Sequence, residues 1–359
     1  MIVSPGSALF DAVTVAVGSQ VDAVEEAHRT PLDYDAFLAH REVNRLHGTA
    51  SVAGERVPWS LIEKITEGPD LAIPYLVDNG EREYAAYGSG LLDDLAPGVR
   101  APRAYGSERT ANGRITLWIE QIHHSGPRPL DAETILAAAG DLGVLAAQWL
   151  GRVPDEPWLF TDWITRHSQP EAADEGRAVL SRSDPQVLAR IGHHLPGALR
   201  LLDAQPRLRD LLESLPTTLC HHDAVGANVF RTPDGTVLID WESVGPGPVG
   251  ADLASLLFSS ARRGDFAGTL LAAVLEPAFA AYFEGFRSSG GTLDEQTVRL
   301  GFDAAIGLRW KLVRDIAESL ERGTASRRGS APDESPETAL AELAGPIAVL
   351  LASADRVLS

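Results

Sequence analysis

The chain has 359 residues, a hydrophobic fraction of 44% and a formal net charge of −19. This composition is typical of a globular protein with a substantial core, and the length allows two domains. Because nucleic-acid phosphates are neutralised by an excess of Lys and Arg, the negative charge argues against a nucleic-acid partner and weakly favours a cationic or neutral ligand.

The cysteine content and the N-terminal segment bear on the cellular compartment. Cys220 is the only cysteine, so an intrachain disulfide is excluded. The first residues carry Asp11 and no basic residue before a short apolar run, unlike a signal peptide. No uninterrupted apolar run approaches the roughly 20 residues that span a bilayer. We therefore expect a cytoplasmic protein without a membrane partner, in an oligomeric state that the sequence leaves open.

The first third of the chain is predicted to be mostly β. Helical spacing marks residues 7–28 and 33–40, and apolar runs broken by glycines predict two or three strands within 43–66. A further helix is predicted from apolar residues that share one face: Tyr84, Tyr87, Leu91 and Leu95. An apolar strand follows at 113–122. Residues 1–122 are thus predicted to form a small β-rich unit with one important helix.

From residue 123 to 359 the pattern is mainly helical. The predicted helices span residues 131–150, 171–191, 195–214, 263–287, 293–320 and 336–357. One clear β segment, 217–241, interrupts them, with Pro233, Asp234 and Gly235 suited to a tight hairpin turn.

Oxygen-bearing side chains are concentrated in that β segment. Asp223 and Asn228 lie five residues apart in a loop, and Asp240 ends the hairpin strand that returns to it. Two carboxylates and an amide suit Mg²⁺, which prefers oxygen ligands. The same residue types also cap turns and end strands, so the hairpin alone supports both interpretations equally.

A histidine-based metal site is disfavoured, although histidine occurs in three adjacent pairs: His123–His124, His193–His194 and His221–His222. Neighbouring side chains point in different directions on a strand or a helix, so an adjacent pair seldom offers two ligands to one ion. The sequence also contains no H-E-x-x-H motif and no zinc-type Cys/His spacing.

Only two of the 31 basic residues are lysines, and one of them, Lys64, lies late in an apolar predicted strand. Glu83 precedes the apolar face of the next helix, and Glu81 is its rival as a partner for Lys64. A strand lysine paired with a helix glutamate and aimed at phosphates is part of a kinase phosphate site. The alternative is an edge lysine that extends its ammonium group to water.

The order of these features resembles the aminoglycoside phosphotransferase and choline kinase family, the small-molecule branch of the protein-kinase-like fold. The resemblance runs over about residues 43–320 and is most specific in "LCHHDAVGANVF" and "GTVLIDWESVGPGPVGADLA". It implies an α+β, bilobal protein-kinase-like fold, with a nucleotide-binding lobe at 1–122 and a catalytic, acceptor-binding lobe at 123–359.

The resemblance also implies roles for the charged residues. Asp223 is expected to accept the proton of the acceptor hydroxyl, and Asn228 and Asp240 to bind Mg²⁺. Lys64, positioned by Glu83, is expected to hold the phosphates of ATP or GTP; the sequence does not distinguish the two donors.

Further nucleotide contacts are implied at two places. Gly48 and Thr49 are expected in the loop that covers the phosphates, although "LHGTASVAGER" lacks the dense glycine pattern of protein kinases. The backbone that is expected to contact the purine belongs to Ile119, Glu120, Gln121 and Ile122.

Three residues are expected to support the catalytic loop or the acceptor. His221 matches the histidine that begins this loop in the family, and Asp252 matches an acidic residue that supports it. His222 stands where the family commonly has glycine, and we expect it to reach into the acceptor site.

The acceptor is predicted to be a small hydroxylated molecule. The eleven residues between Asp240 and Asp252 are rich in Gly and Pro, whereas a protein kinase needs a longer segment there to hold a peptide. An antibiotic of the aminoglycoside or nucleoside type, as in resistance by modification, or an amino sugar is the favoured class. A kinase-like protein that binds nucleotide without turnover is the alternative, and an acidic helical binding protein is a third.

The sequence contains opposing signals about the charge of the acceptor. The negative net charge favours an amine-bearing acceptor by about two to one, and the acidic candidates for binding it are Asp265, Glu276, Glu284 and Asp303. A basic group nearby favours an anionic acceptor instead: Arg309, Lys311 and Arg314.

Overall fold

The computed structural model describes residues 3–32, 41–67, 80–182, 184–324, 327 and 334–359. The chain divides into two compact units. The first comprises Met1–Asp94, Arg100–His123 and Val237–Glu242, and the second Leu95–Val99, His124–Thr236 and Ser243–Ser359. The sequence predicts one boundary, after residue 122. In the structure two short segments belong to the unit on the other side of that boundary: Leu95–Val99 to the second unit and Val237–Glu242 to the first.

The strands of the described residues lie mainly in the first unit. In chain order they are β1 (Ala23–Pro31), β2 (Arg41–Val52), β3 (Glu55–Thr66), β4 (Val99–Arg100), β5 (Ala104–Arg109), β6 (Ile115–Ile119), β7 (Thr217–Cys220), β8 (Val229–Thr232), β9 (Gly235–Leu238) and β10 (Gly245–Pro248). The first unit contains a five-stranded antiparallel sheet in the order β1-β2-β3-β6-β5.

The predicted strands within 43–66 are confirmed as the hairpin β2–β3. Its turn is formed by Ala53 and Gly54, which both have positive φ (51° and 84°), a conformation that glycine adopts readily. The predicted strand at 113–122 is confirmed as β6, over a shorter range.

The predicted helix at 7–28 is only partly correct. Helix α1 (Ala8–Val17) ends where Gly18 adopts a left-handed conformation, with φ of 73°, which is a common helix stop. The following residues form β1 instead, paired with β2. The predicted helix at 33–40 lies outside the described residues.

The two faces of the five-stranded sheet are covered by different helices. On one face, Phe10 and Val13 of α1 pack with Leu46, Leu61 and Trp118. On the other, Tyr84 and Tyr87 of α2 (Glu81–Gly88) pack against β6. The predicted helical face was too long, because α2 ends at Gly88 and the residues Leu91 and Leu95 lie beyond it.

The second unit is mostly helical. Its helices are α3 (Ala132–Trp149), α4 (Trp163–Ser168), α5 (Ala173–Leu180), α6 (Pro185–Ile191), α7 (Leu195–Asp203), α8 (Gln205–Ser214), α9 (Ala251–Ala254), α10 (Ser260–Arg263), α11 (Leu271–Ser288), α12 (Glu295–Gly307), α13 (Lys311–Glu321) and α14 (Pro336–Leu358). A π-helical turn over Ser255–Ser259 joins α9 to α10. The predicted mixed α+β fold is therefore confirmed.

The predicted helices of this unit are present, with four differences. Residues 195–214 are divided into α7 and α8 at Ala204. Residues 171–191 are divided into α5 and α6, before Pro185. Residues 293–320 are divided into α12 and α13. Residues 263–270 precede α11 as a turn and a short 3₁₀ segment. Breaks of one turn within a continuous apolar pattern leave its helical periodicity nearly intact, so periodicity does not locate them.

Helices α3 and α11 pack at unusually close range because glycines lie at their contact. A Cβ atom on Gly143 would lie 2.0 Å from the carbonyl oxygen of Tyr282, and one on Gly285 would lie 2.2 Å from that of Gly140. Both substitutions would force the backbones apart.

Two helices of the second unit are long and apolar enough to cross a membrane by length and composition alone. They span Gly268–Ser288 and Pro336–Leu358. Core helices of soluble proteins pass the same test, and both helices bury a face in this unit, for example through Phe279 and Leu350.

Candidate active site

Lys64 is the centre of a charged cluster in the first unit. It lies on β3, on the same face as Ile62, which packs beside α2. Its Nζ atom donates to Glu83 Oε2 at 2.5 Å and to Asp240 Oδ1 at 2.7 Å. The contact with Glu83 is the one predicted from the sequence. The rival Glu81 is instead bound by Arg109.

The electrostatics of this cluster follow from burial and pairing. Burial alone would lower the pKa of Lys64, but Asp240 and Glu83 together raise it well above its usual value. Burial raises the pKa of Glu83, and Lys64 opposes that change. The ammonium group is thus held charged between two carboxylates, with about 15% of the Lys64 side chain exposed.

Asp240 itself has an unusual backbone conformation, with φ of 67°. Non-glycine residues adopt this left-handed region rarely, and such conformations cost on the order of 1–3 kcal/mol and concentrate at functional sites. Trp241, the next residue, donates its backbone N–H to Glu83 at 3.3 Å. Glu83 therefore connects the lysine with the chain that carries Asp240.

A second ion pair beside this cluster was not predicted. Arg41 binds the Glu242 carboxylate, and Arg82 donates to the Glu242 backbone carbonyl at 2.6 Å. Burial and the charge of Asp240 raise the pKa of Glu242 above its usual value, and Arg41 opposes that change. The three residues are far apart in sequence, so no spacing signal was available to find them.

Gly48 and Thr49 lie within strand β2 and before its turn. Gly48 pairs with Trp59 of β3 and with Ala27 of β1. A Cβ atom at Gly48 would lie 1.8 Å from the Glu26 carbonyl oxygen, so the glycine is needed for the close approach of β1. The predicted loop is thus a regular hairpin whose turn falls at residues 53–54.

The segment predicted to contact the purine follows directly from β6. Ile119 is the last residue of that strand, and Glu120 donates its N–H to the Arg103 carbonyl at 2.9 Å. The Glu120 carboxylate binds Arg100. Gln121 has a buried Oε1 atom with no hydrogen-bond partner among the described residues, and Ile122 is partly buried.

The Asp223 loop belongs to the second unit, between β7 and β8. Asn228 Nδ2 donates to the Asp223 backbone carbonyl at 2.9 Å and to its carboxylate at 3.0 Å. The Asp223 N–H donates to His221 Nδ1 at 3.2 Å. Asn228 thus holds the Asp223 side chain in place, and His221, which is fully buried, braces the backbone.

Asp252 supports the same loop from α9. Its two carboxylate oxygens accept the backbone N–H groups of His221 at 2.7 Å and of His222 at 2.8 Å. Burial raises the pKa of Asp252 to about 6, and these two hydrogen bonds oppose that change.

The sequence predicts that His222 reaches into the acceptor site, and in the structure its side chain is buried next to the Asp223 loop. Its ring stacks on Trp163, with centroids 5.2 Å apart, and meets Phe160 edge-on at 5.9 Å. Its Nε2 atom lies 3.1 Å from the Pro246 carbonyl. A Cβ atom on Gly247 would lie 2.3 Å from this ring, which explains the glycine there. Burial lowers the pKa of His222 to about 3.

A metal site built on His222 is not supported. Ligand atoms of Cys220, His222 and Asp252 lie within 4.8 Å of one another. Both Asp252 oxygens, however, accept backbone N–H groups, and His222 Nε2 faces a carbonyl oxygen. Burial also raises the pKa of the Cys220 thiol well above its usual value, which disfavours the thiolate that binds metals.

The segment after Asp240 forms a strand as well as a turn. Strand β10 pairs antiparallel with β7, which carries the chain to the His221 loop. Gly250 then adopts φ of 90° at the start of α9. The glycines that we predicted only as turn residues therefore also allow close packing: a Cβ atom on Gly245 would lie 2.1 Å from the Phe160 carbonyl.

Both the sequence and the fold of this chain are similar to those of known phosphotransferases. A family model described as the phosphotransferase enzyme family matches residues 75–287, more than half of the chain. No curated protein matches the sequence at a significant level.

Solved structures with the same fold include an aminoglycoside phosphotransferase from Alicyclobacillus acidocaldarius. It is 16% identical, with 96% of this chain and 95% of that chain covered and a TM-score of 0.53. A spectinomycin phosphotransferase, solved with ADP and spectinomycin, is 14% identical, with 98% and 99% covered and a TM-score of 0.52.

Proposed function

Because this chain belongs to the phosphotransferase enzyme family and is a small-molecule phosphotransferase, we propose that it transfers the γ-phosphoryl group of ATP or GTP to a hydroxyl group of its acceptor, with Mg²⁺ as cofactor. The observation that carries this proposal is Lys64, which is largely enclosed and bonded to both Glu83 and Asp240. A lysine fixed in this way suits a polyanionic phosphate chain, since phosphoryl transfer depends on positioning and charge neutralisation.

Asp223 is the proposed proton acceptor. As the acceptor hydroxyl oxygen forms a bond to the γ-phosphorus and the bond to the nucleoside diphosphate breaks, the hydroxyl proton passes to the Asp223 carboxylate. The hydrogen bond from Asn228 fixes that carboxylate, and its backbone is held by the Asp252–His221 support. A general base of this kind contributes about 10²–10⁴ to the rate.

The chemistry of Asn228 and Asp240 fits Mg²⁺. Asn228 uses its amide nitrogen for both bonds to Asp223. Its amide oxygen accepts no hydrogen bond from the described residues and can therefore face a metal ion. Asp240 offers a carboxylate that is about 22% exposed and already attracts a cation, Lys64. Both are hard oxygen donors of the type that Mg²⁺ prefers. When bound, the ion would neutralise phosphate charge.

The proposed acceptor is a small hydroxylated molecule, with an antibiotic as the leading class. Residues 245–248 are committed to pairing with β7, and Gly250 leads directly into α9. This leaves little chain to hold an extended peptide. Modification of an antibiotic would give resistance.

Nucleotide-dependent stabilisation tests the proposal. We expect ATP or GTP with Mg²⁺ to raise the Tm of the wild-type protein, and the Asp240→Asn variant to lose the Mg²⁺-dependent part of that increase. A protein that no purine nucleotide stabilises, with or without Mg²⁺, would contradict the proposed donor. A kinase-like protein without turnover would be stabilised but would form no nucleoside diphosphate with any acceptor.

A further inference from the structure

Aromatic and basic side chains pack together in the second unit, directly beside the Asp223 loop. This basic–aromatic cluster consists of Phe160, Trp163, Arg166, His167, His222 and Arg309. The Arg309 guanidinium lies 5.6 Å from the Trp163 ring centroid, and Arg166 lies 5.6 Å from that of Phe160. His167 meets Trp163 at 4.7 Å.

Arg309 is buried without a carboxylate partner among the described residues. It is 5% exposed, and its guanidinium donates to the Ser255 hydroxyl, the Ser259 hydroxyl and the Ala305 carbonyl, all neutral. Arg166 likewise makes no ion pair within the described ranges. Asp223 and Asp252 are near enough for their charges to act on Arg309, but neither is bonded to it among the described residues. A buried charge without a bonded counter-charge is costly, so an anion supplied from outside the chain would be favoured there.

The absence of a bonded carboxylate does not come from a shortage of acids, since the chain has 50 acidic and 31 basic residues. Three of the four carboxylates that we considered for binding an amine are already bound by arginine: Asp265 by Arg263, Glu276 by Arg299, and Asp303 by Arg299 and Arg356. They are therefore poorly placed to bind an amine, while the basic cluster keeps excess positive charge.

The same cluster contains polar atoms that no described residue satisfies. Trp163 Nε1 and His222 Nδ1 are both buried without a hydrogen-bond partner. Buried polar groups in native proteins are nearly always paired, and exceptions point to an absent water or ligand. Because His222 Nε2 faces the Pro246 carbonyl, Nδ1 is the acceptor nitrogen. A hydroxyl group would satisfy Nδ1, and an anionic oxygen would satisfy the indole N–H.

A cavity of about 310 Å³ lies in this unit, within the size range of ligand pockets. Three arginines line it: Arg262, Arg314 and Arg322. Asp315, also in its wall, binds both Arg262 and Arg314, at 2.7 Å in each case. Glu318 is the other acid of the wall. Arginine charge therefore exceeds carboxylate charge around the cavity.

Helix α10 connects the cavity with the basic–aromatic cluster and with the Asp223 loop. Arg309 donates to the Ser259 hydroxyl at 3.2 Å, immediately before α10, and α10 carries Arg262 of the cavity wall. In the same helix, the Ser260 hydroxyl accepts the N–H of Gly226, which lies in the Asp223 loop, at 2.8 Å. Burial and then the charge of Arg262, which lines the cavity, lower the pKa of Arg309 to about 9, and Asp223 and Asp252 oppose that change. The charges of Arg309 and Arg166 likewise act on His167, whose pKa is lowered chiefly by burial.

We propose that the acceptor carries an anionic group, a carboxylate or a phosphate, which the arginines of this cavity and cluster bind while a hydroxyl group faces Asp223. The proposal rests on the proposed function and narrows it, because it reverses the preference for an amine that the net charge suggested. Two arginines sharing one anion give directional, charge-assisted hydrogen bonds, and a protonated amine in the same place would be repelled.

Four sugars with nearly the same ring test this preference. D-glucuronate and D-glucose 6-phosphate carry the two proposed anions, D-glucose is neutral and D-glucosamine is a cation. We expect titration calorimetry, with and without the Mg²⁺ complex of a non-hydrolysable ATP analogue, to show at least one anionic sugar binding about tenfold more tightly than D-glucosamine, or about 1.4 kcal/mol. The two anionic sugars distinguish carboxylate from phosphate.

Two variants locate the site. Arg166→Gln leaves no carboxylate unpaired, and Arg314→Gln leaves Asp315 bound to Arg262, so both should fold. We expect each to remove most of the anion preference. Arg177→Gln, at an exposed ion pair with Asp203, is the matched control and should keep it.

The outcomes separate this proposal from the proposed function. Tighter binding of D-glucosamine, no binding of either anionic sugar up to about 10 mM, or an anion preference that survives both variants would overturn the anionic acceptor. Loss of nucleotide-dependent stabilisation would instead overturn the donor, and the titrations without nucleotide would still report on the acceptor.

Discussion

The charged cluster around Lys64 and the basic–aromatic cluster around Arg309 balance their charges in opposite ways. Lys64 lies between two carboxylates that hold it charged, and about 15% of its side chain is exposed. Arg309 is more deeply buried, and among the described residues it is hydrogen-bonded only to neutral oxygens. In a protein with net charge −19, the second arrangement is the more unusual one.

These two arrangements of charge would bind anions in different ways. The Lys64 cluster is complete without ligand, so a phosphate chain must compete with Asp240 for the ammonium group, and a cation that binds Asp240 would assist it. In the basic–aromatic cluster no described carboxylate is bonded to Arg309 or Arg166, so an anionic ligand would supply the missing ion pair. The first arrangement favours regulated binding of a donor, and the second favours selection of an acceptor.

The largest effect is expected where the base is removed from the second unit. Asp223→Asn should lower turnover by about 10²–10⁴, while nucleotide-dependent stabilisation is retained, because the Lys64 cluster is untouched. Steady-state kinetics and thermal shift on the same preparation check this. Turnover within a few-fold of wild type would remove Asp223 from its proposed role.

The ion pair between Lys64 and Glu83 can be removed by changing either residue. Lys64→Ala leaves Glu83 and Asp240 without their cation, and loss of one partner of a buried pair costs about 3–5 kcal/mol of unfolding free energy. Glu83→Ala should also impair activity. Because both changes disrupt one unit, the double variant should lose little more activity than the worse single variant.

Denaturant unfolding and kinetics on the two single variants and the double variant measure this coupling. Additive losses of activity would show that Glu83 does not position Lys64 for catalysis.

The variant Asp240→Asn changes the Lys64 cluster of the first unit alone. It removes one anionic partner of Lys64 and the proposed metal ligand, so the affinity for Mg²⁺–nucleotide should fall by about tenfold or more, equivalent to about 1.4 kcal/mol. Asp223→Asn is the control and should bind normally. Calorimetry that shows the same Mg²⁺-dependent affinity in Asp240→Asn and wild type would remove Asp240 from the metal site.

The smallest effect concerns pH and the histidines of the basic–aromatic cluster. Burial lowers the pKa of His222 from its usual 6.5 to about 3. Between these values the unfolded chain binds a proton that the folded chain does not, so stability is complete above pH 6.5 and falls with acid. One such group contributes about 1.4 kcal/mol per pH unit.

His222→Phe should therefore make the unfolding free energy less steep between pH 6.5 and 5, with wild type as the reference. Some dependence should remain, because burial also lowers the pKa of His167. An unchanged slope would show that His222 is protonated in the folded protein.

The parts of the fold and site that the sequence predicts are those with a local signal. The β2–β3 hairpin follows from apolar runs between glycines, and Lys64 and Glu83 stand out as charged residues beside apolar patterns. Asp223 and Asn228 lie within six residues of each other, so their contact is nearly determined by the loop itself. Features of this kind depend on residues that are near one another in the sequence, so they can be predicted without the tertiary structure.

The basic–aromatic cluster has no such signal. Phe160 and Trp163 precede or begin α4, His222 follows β7, and Arg309 lies between α12 and α13. Only tertiary packing brings these segments together, and the unpaired state of Arg309 depends on every neighbour. The burial of His222 likewise cannot be predicted from the sequence, because it depends on the space that Gly247 leaves beside the His222 ring.

We expect the protein to transfer a phosphoryl group from a purine nucleotide to a small hydroxylated acceptor, and we expect this transfer to require Asp223. The most direct measurement is ³¹P NMR of reactions that contain the protein, Mg²⁺, ATP or GTP and a mixture of small hydroxylated acids, sugars and antibiotics. We predict a new phosphate monoester in the small-molecule fraction with the wild-type protein and none with Asp223→Asn. A phosphoryl group found only on protein, or the same product yield with Asp223→Asn, would contradict the account.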